Sequence, residues 1–172
     1  MSHLLSGEEF WQMFLSFEHT AFRLETRDSY DEPVEVEPYR RFLTGEPADN
    51  SWFMDYYRLV QGWVATGRRV ERVRVVTEPH SDYVRWSLGV AVLATEAGED
   101  IRYLPRTRAA QLDLPDEDYW LFDSRRAARL HFGDGDQRVG VKLLEDPTAV
   151  ARRCQWRDLA WHHAVPFAEY TR

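Results

Sequence analysis

Apolar positions along the chain change period several times, and each change marks an element. Ser6 with Glu9 three residues on forms a capping box. Phe10, Met13, Phe14 and Phe17 then share one face, which predicts a first helix. From Ala21 to Arg27 the period is two. Phe22, Leu24 and Thr26 point one way and Arg23, Glu25 and Arg27 the other, as in a short strand. Residues 28–38 are acidic, hold two prolines and read as a loop. A helix is expected over 51–66, capped by Asn50 and stopped by Gly67, with Trp52, Tyr56, Leu59, Val60 and Trp63 as its buried stripe.

The densest signal lies in residues 68–106. Val70 to Val76 reads as a strand, broken at Glu78-Pro79. Ser81 caps a helix that buries Tyr83, Trp86, Val90 and Leu93 and stops at Gly98, and Asp100 to Leu104 returns as a strand. A strand, helix and strand of this length predict a parallel pair with a right-handed crossover. Three more strands are expected, 119–122, 127–132 and 138–144, with Gly133 to Asp136 turning the last hairpin. Asp146-Pro147 opens a final helix that ends before Pro166. The expected fold class is α/β with one mixed sheet flanked by helices. It forms a single domain over 1–172, with a helical part at 1–67 and a strand–helix–strand plus hairpin core at 68–165.

Composition narrows the function classes. Apolar residues make up 44% of the 172 and the rings are plentiful, which suits a packed core and not a disordered chain. A net charge of −7 opposes attraction to nucleic acid or anionic lipid. Trp120 and Phe122 alternate on a strand and read as sheet core in preference to a base-stacking platform. Cys154 is the single cysteine, and neither an N-terminal secretory pattern nor a membrane-spanning run is visible, so a cytoplasmic, membrane-free protein is expected. Of the 22 basic residues all but Lys142 are arginine, a bias that a GC-rich genome explains.

Candidate chemistry is sparse. The histidines His3, His19, His80, His131, His162 and His163 make no metal-ligand spacing. His162 and His163 suit a helix C-terminus, and Asp134 and Asp136 suit a turn better than a calcium loop. There is no phosphate loop, dinucleotide fingerprint or nucleophile elbow. No catalytic residue, metal or cofactor is therefore assigned, although Asp118 with Asp123, or His80 with Asp82, are pairs of the kind acid–base chemistry uses.

The arginines carry more. Open α/β sheets bind ligands at the carboxyl ends of their strands, and a guanidinium donates a planar fork to carboxylate or phosphate. Arg74, His80, Arg85 and Arg106 are thus candidates for an anion pocket at the sheet end. The competing reading is a structural ion-pair network of Arg23, Glu25, Arg72, Glu99, Arg102, Asp118 and Asp123. At least one of Arg72 and Arg74 is expected to be buried against a carboxylate, with Glu25, Asp118 and Asp123 as candidates.

Thr20 to Arg27, Arg72 to Val76 with Glu78-Pro79, Ala97 to Arg102 and Asp118 to Asp123 together resemble an actinobacterial domain of unknown function, over about Phe10 to Tyr170. Its members are often encoded beside helix-turn-helix regulators. The resemblance implies a cytoplasmic regulatory or accessory protein with such a regulator as partner; a homodimer stays open. Residues 68–165 also resemble half of a phospholipase D-like domain, whose chemistry rests on His-x-Lys followed by Asp. The chain departs there, because neither His80 nor His131 has lysine two residues on, and only Asp123 matches the motif's last position. The first expectation is a non-catalytic regulatory or interaction protein. The alternatives are a sensor of a phosphate- or carboxylate-bearing small molecule and an enzyme with an unrecognised site.

Overall fold

A computed structural model describes residues 4–172. Seven strands, β1 (Thr20–Glu25), β2 (Arg69–Val76), β3 (Asp100–Pro105), β4 (Asp118–Phe122), β5 (Arg126–Phe132), β6 (Arg138–Leu144) and β7 (Val165–Pro166), form one sheet. Their order is β6-β5-β4-β1-β2-β3-β7. The pairs β1–β2 and β2–β3 are parallel and the remaining pairs antiparallel, so the sheet is mixed. β1 lies between β4 and β2, so residues 1–67 supply a central strand as well as helices.

One face is covered by α1 (Gly7–Ser16), α3 (Met54–Ala65) and α4 (Asp82–Ala97). The other carries α5 (Arg106–Ala109) and α6 (Pro147–His163). Two apolar clusters fill the first face. Phe14, Phe17, Trp63, Trp120 and Phe122 make one of them, and Val76, Val84, Ala91, Ile101 and Tyr103 the other. Phe22, Leu24, Val73, Leu104 and Tyr119 pack the opposite face against α6. The capping box at Ser6 and Glu9 forms, and Ser81 and Asp146 cap α4 and α6 as expected.

Four expectations need correction. Residues 28–38 are not all loop. Pro33–Glu35 is a 3-10 turn and α2 (Val36–Leu43) follows it. Pro38 is tolerated in the first turn of α2, where its missing N–H would have had no intrahelical partner. Asn50 makes no capping bond; Asp49 Oδ1 instead accepts from Ser51 N at 2.9 Å, ahead of a 3-10 turn over Ser51–Phe53. In α4 the small residues Ala91, Ala94 and Ala97 are buried, whereas Val90 and Leu93 are only half-buried. After α6 the chain adds β7 at the sheet edge and α7 (Phe167–Tyr170), which periodicity over so few residues cannot signal.

Asp123 and Ser124 turn the β4–β5 hairpin with φ of 53° and 55°. Two successive left-handed residues match the twist of the flanking strands, and asparagine, aspartate or glycine suit them. Asp123 then holds the α1–β1 link: its carboxylate accepts from Glu18 N, His19 N and Thr20 N at 2.9, 2.7 and 2.9 Å. Asp123→Ala is expected to cost about 2 kcal/mol by losing that acceptor. Asp123→Asn should cost less than half as much, because one carbonyl oxygen remains. Urea titration of the two variants is the check; a negligible loss in Asp123→Ala would mean the carboxylate does not carry the link.

Candidate functional site

Alternation along three strands gathers charge on the α1, α3 and α4 face. In the β1–β2 register Arg23 stands opposite Arg72 and Glu25 opposite Arg74. Arg23 is also opposite Trp120 of β4, and Arg74 opposite Tyr103 of β3. Two facing arginines on adjacent strands would repel. Glu25 resolves the conflict, because one residue further along the same face it reaches three guanidinium groups. Arg72 Nη1 donates to its Oε1, Arg23 Nε lies 3.6 Å from that oxygen, and Arg74 Nε lies 2.8 Å from Oε2.

The remaining partners come from elements far apart in sequence. Glu99, at the end of the α4–β3 turn, accepts from Arg72 Nε at 2.7 Å and from Tyr56 Oη at 3.0 Å. Asp118 accepts from Arg23 Nη2 at 2.7 Å, from Tyr30 Oη at 2.6 Å and from Thr26 N and Oγ1 at 2.9 and 2.7 Å. The guanidinium carbons of Arg23 and Arg72 lie 5.9 and 5.5 Å from the Trp120 ring centroid. Three cations thus meet three carboxylates inside the apolar layer. Burial alone would raise the pKa of Glu25, but Arg74, Arg72 and Arg23 outweigh it and hold it at about 2.

Arg74 differs from its neighbours. It is the most open of the three, with 18% of its side chain exposed, against 12% for Arg72 and 5% for Arg23. Its Nε touches Glu25 without the alignment of a hydrogen bond, and among the described residues no hydrogen bond reaches its terminal nitrogens. Its side chain lines two cavities. One, of about 270 Å³, lies below Trp52 and Phe53 against α4; the other, of about 190 Å³, lies beside Tyr30, Tyr83 and Arg138. Glu35 lines both. It accepts from Tyr83 Oη at 2.6 Å, and burial raises its pKa despite that bond and the nearby Arg74.

The four residues expected at the sheet end do not converge. Arg106 ties the strand ends together, donating to Thr77 Oγ1 at 2.9 Å, to the Thr26 carbonyl at 2.8 Å and to Asp28 at 3.2 Å. Arg85 donates to Asp82 and to the His80 carbonyl. His80 Nε2 lies 2.7 Å from Tyr170 Oη, which donates to Glu78. Arg74 sits apart, on the face covered by α1, α3 and α4. Of the residues assigned to an ion-pair network, the structure joins Arg23, Glu25, Arg72, Glu99 and Asp118 and adds Arg74. Arg102 lies instead on the α6 face, 3.8 Å from the centroid of the Trp161 ring, where it pairs with Asp100 at 3.5 Å apart from this cluster, and Asp123 serves the hairpin. Asp118 and Asp123 occupy opposite ends of β4, so they form no acid–base pair, and Asp82, the partner considered for His80, bonds Arg85. His3 lies outside the described residues.

Tyr30, Glu35, Tyr56 and Tyr83 are the participants that periodicity does not reveal as polar partners. Tyr56 and Tyr83 count as core on their helical faces, and Tyr30 and Glu35 fall in the stretch read as loop. The only available signal is that a buried tyrosine hydroxyl needs a partner.

The model of a family described as "Domain of unknown function (DUF6879)" matches residues 8–172. No curated protein matches the chain. Among solved structures the fold is similar to Nuc of Salmonella typhimurium, a phospholipase D family member. The TM-score is 0.55 at 12% identity, covering 96% of this chain and 98% of that one. NucT of Helicobacter pylori gives 0.55 at 9% identity, over 96% and 97% of the two chains. A phosphatidylserine synthase of Haemophilus influenzae gives 0.51 at 12% identity, over 99% of this chain and 40% of that one. The phospholipase D-like likeness therefore extends beyond residues 68–165 to nearly the whole chain. At these identities it concerns the fold alone.

Proposed function

We propose that this chain, which belongs to the DUF6879 family, is a non-catalytic regulatory protein that senses a small carboxylate- or phosphate-bearing molecule in the cavities that meet at Arg74. One observation carries the reading. Arg74 is a largely buried cation whose terminal nitrogens have no hydrogen-bond partner among the described residues, and it lines open space. Glu25 is shared among Arg23, Arg72 and Arg74, whereas Arg23 and Arg72 each have a second carboxylate. A ligand anion supplies Arg74 with what the protein does not, through paired hydrogen bonds in a desolvated site.

The absence of a His-x-Lys pair supports a binding role over the hydrolytic chemistry of that motif. Arg85, Arg106 and His80 already serve protein partners, which favours Arg74 as the anchor. The regulatory side of the proposal, action on a helix-turn-helix partner in the cytoplasm, rests on the resemblance of Thr20–Arg27, Arg72–Val76, Ala97–Arg102 and Asp118–Asp123 to a family often encoded beside such regulators.

The test is a melting-temperature screen of the full chain against small carboxylates and phosphates. A ligand at a hundred times its dissociation constant adds about 2.7 kcal/mol, or roughly 5–10 °C for a domain of this size. The shift should vanish in Arg74→Met. No shift with any anion, or an equal shift in the variant, would discard the reading.

A further inference from the structure

The two cavities beside Arg74 differ in their walls, and that difference selects a ligand. The smaller one is bounded by Arg23, Glu25, Tyr30, Glu32 and Arg138, charges of both signs that suit water. The larger has an ionic floor of Arg72, Arg74 and Glu99 under walls of Trp52, Phe53, Val90, Ala91, Ala94 and Ile101. Small side chains on α4 leave room there, while Phe53 meets Trp52 and Tyr56 edge-on at 5.5 and 5.4 Å. Such a lining takes an apolar body with one polar end.

The charge count narrows the polar end. Arg72 is already engaged by Glu25, Glu99 and Tyr56. Among the described residues that line this cavity Arg74 is the guanidinium with donors to give, Arg23 and its unpaired Nη1 facing the smaller one, and Glu99 and Glu35 border the same space. The three arginines already meet three carboxylates, so an entering anion is held only by the unused donors of Arg74; a single charge fits that one guanidinium, and a second would be buried without a donor. Glu35, with its raised pKa, is a carboxyl group more ready than usual to hold a proton beside an entering anion.

We infer that the cavity between α3 and α4 binds an amphipathic monocarboxylate, an acid with a compact aromatic or short aliphatic body, its carboxylate on Arg74 and its body against Trp52, Val90 and Ala94. The inference rests on the reading of Arg74 as an anion anchor and adds the ligand class.

The experiment is calorimetric and thermal-shift titration of the full chain with a stated probe set. It comprises phenylacetate, 3-phenylpropionate, hexanoate and octanoate, the matching alcohols, phenyl phosphate and inorganic phosphate. The acids should bind, with affinity rising with body size until the cavity is full, and should quench tryptophan fluorescence through Trp52. Arg74→Met and Val90→Trp, the second filling the cavity from its rim, should each weaken acid binding at least tenfold. Should Arg74→Met fail to fold, Arg74→Lys, which keeps the charge but loses the fork, takes its place with an expected smaller loss. Tighter binding of phenyl phosphate or inorganic phosphate would overturn the monocarboxylate assignment while leaving Arg74 as an anion anchor. Alcohols binding as well as acids would overturn the anchor itself. Silence from every probe would overturn both.

Discussion

Replacing Glu25 by alanine is expected to lower the melting temperature by about 10 °C or more. Glu25 is 6% exposed and stands against Arg23, Arg72 and Arg74. Its removal leaves Arg74 with no carboxylate and places like charges side by side in the apolar layer. Breaking a buried ion pair on one side typically costs roughly 3–5 kcal/mol, because the remaining charge stays desolvated. For a chain of this length each kcal/mol is worth about 2–4 °C.

The same residue sets an acid limit whose sign follows from its depressed pKa. Free in the unfolded chain Glu25 titrates near 4.5, and in the folded protein near 2. Its contribution is therefore complete above pH 4.5 and is lost as the pH falls toward 2. The displacement corresponds to on the order of 3 kcal/mol. Urea unfolding at pH 7, 4.5 and 2.5 should show Glu25→Gln less stable than wild type at neutral pH, with the gap closing in acid. A gap that stays constant over that range would show that the loss comes from packing and not from the charge.

How far this cluster could be foreseen depends on the direction of each interaction along the chain. The alternation Arg23-x-Glu25 and Arg72-x-Arg74 is local, and it puts each pair on one face of its strand without further information. The partners Glu99 and Asp118 lie on a turn and at a strand start, where composition alone suggests charge. What the residues do not encode locally is the strand order. β1 pairs with both β2 and β4, bringing Arg23 beside Arg72 and within reach of Asp118, and such pairings are set by the whole hydrophobic pattern.

The partners at the sheet end are hidden from the sequence for a related reason. Direction places Arg106 near Val76, and the structure puts it there. Its guanidinium, however, meets the Thr26 carbonyl and Asp28 of a segment that no periodicity ties to that end. Closeness along β2 and β3 groups Arg74 with Arg106, but a strand side chain faces one side of the sheet and does not project from its end. The short elements α2, α5, β7 and α7 span too few residues for a period to show.

Asp118 is the second residue whose loss should be severe, and it reports on the cavity wall as well as on stability. It is 2% exposed and accepts from Arg23, Thr26 N, Thr26 Oγ1 and Tyr30 Oη. Those four bonds fasten the end of β1 and the following turn to the start of β4. Tyr30 lines the smaller cavity at Arg74, and Glu35 lies a few residues further along the same segment. In Asp118→Ala the guanidinium of Arg23, the Thr26 amide and the Tyr30 hydroxyl lose their acceptor together. Each unpaired buried donor costs about 1–3 kcal/mol and an unpaired charge more, so a total of roughly 4 kcal/mol is expected. Asp118→Asn should recover part of it, since its one carbonyl oxygen still accepts but its amide cannot replace the second carboxylate oxygen. The loss should also be local. Hydrogen exchange should quicken over residues 26–35 before it does in α6, because α6 packs on the opposite face through Leu24, Leu121 and Val150. A uniform rise in exchange across both faces would show instead that Asp118 stabilises the whole fold without specially holding the segment that walls the Arg74 cavities.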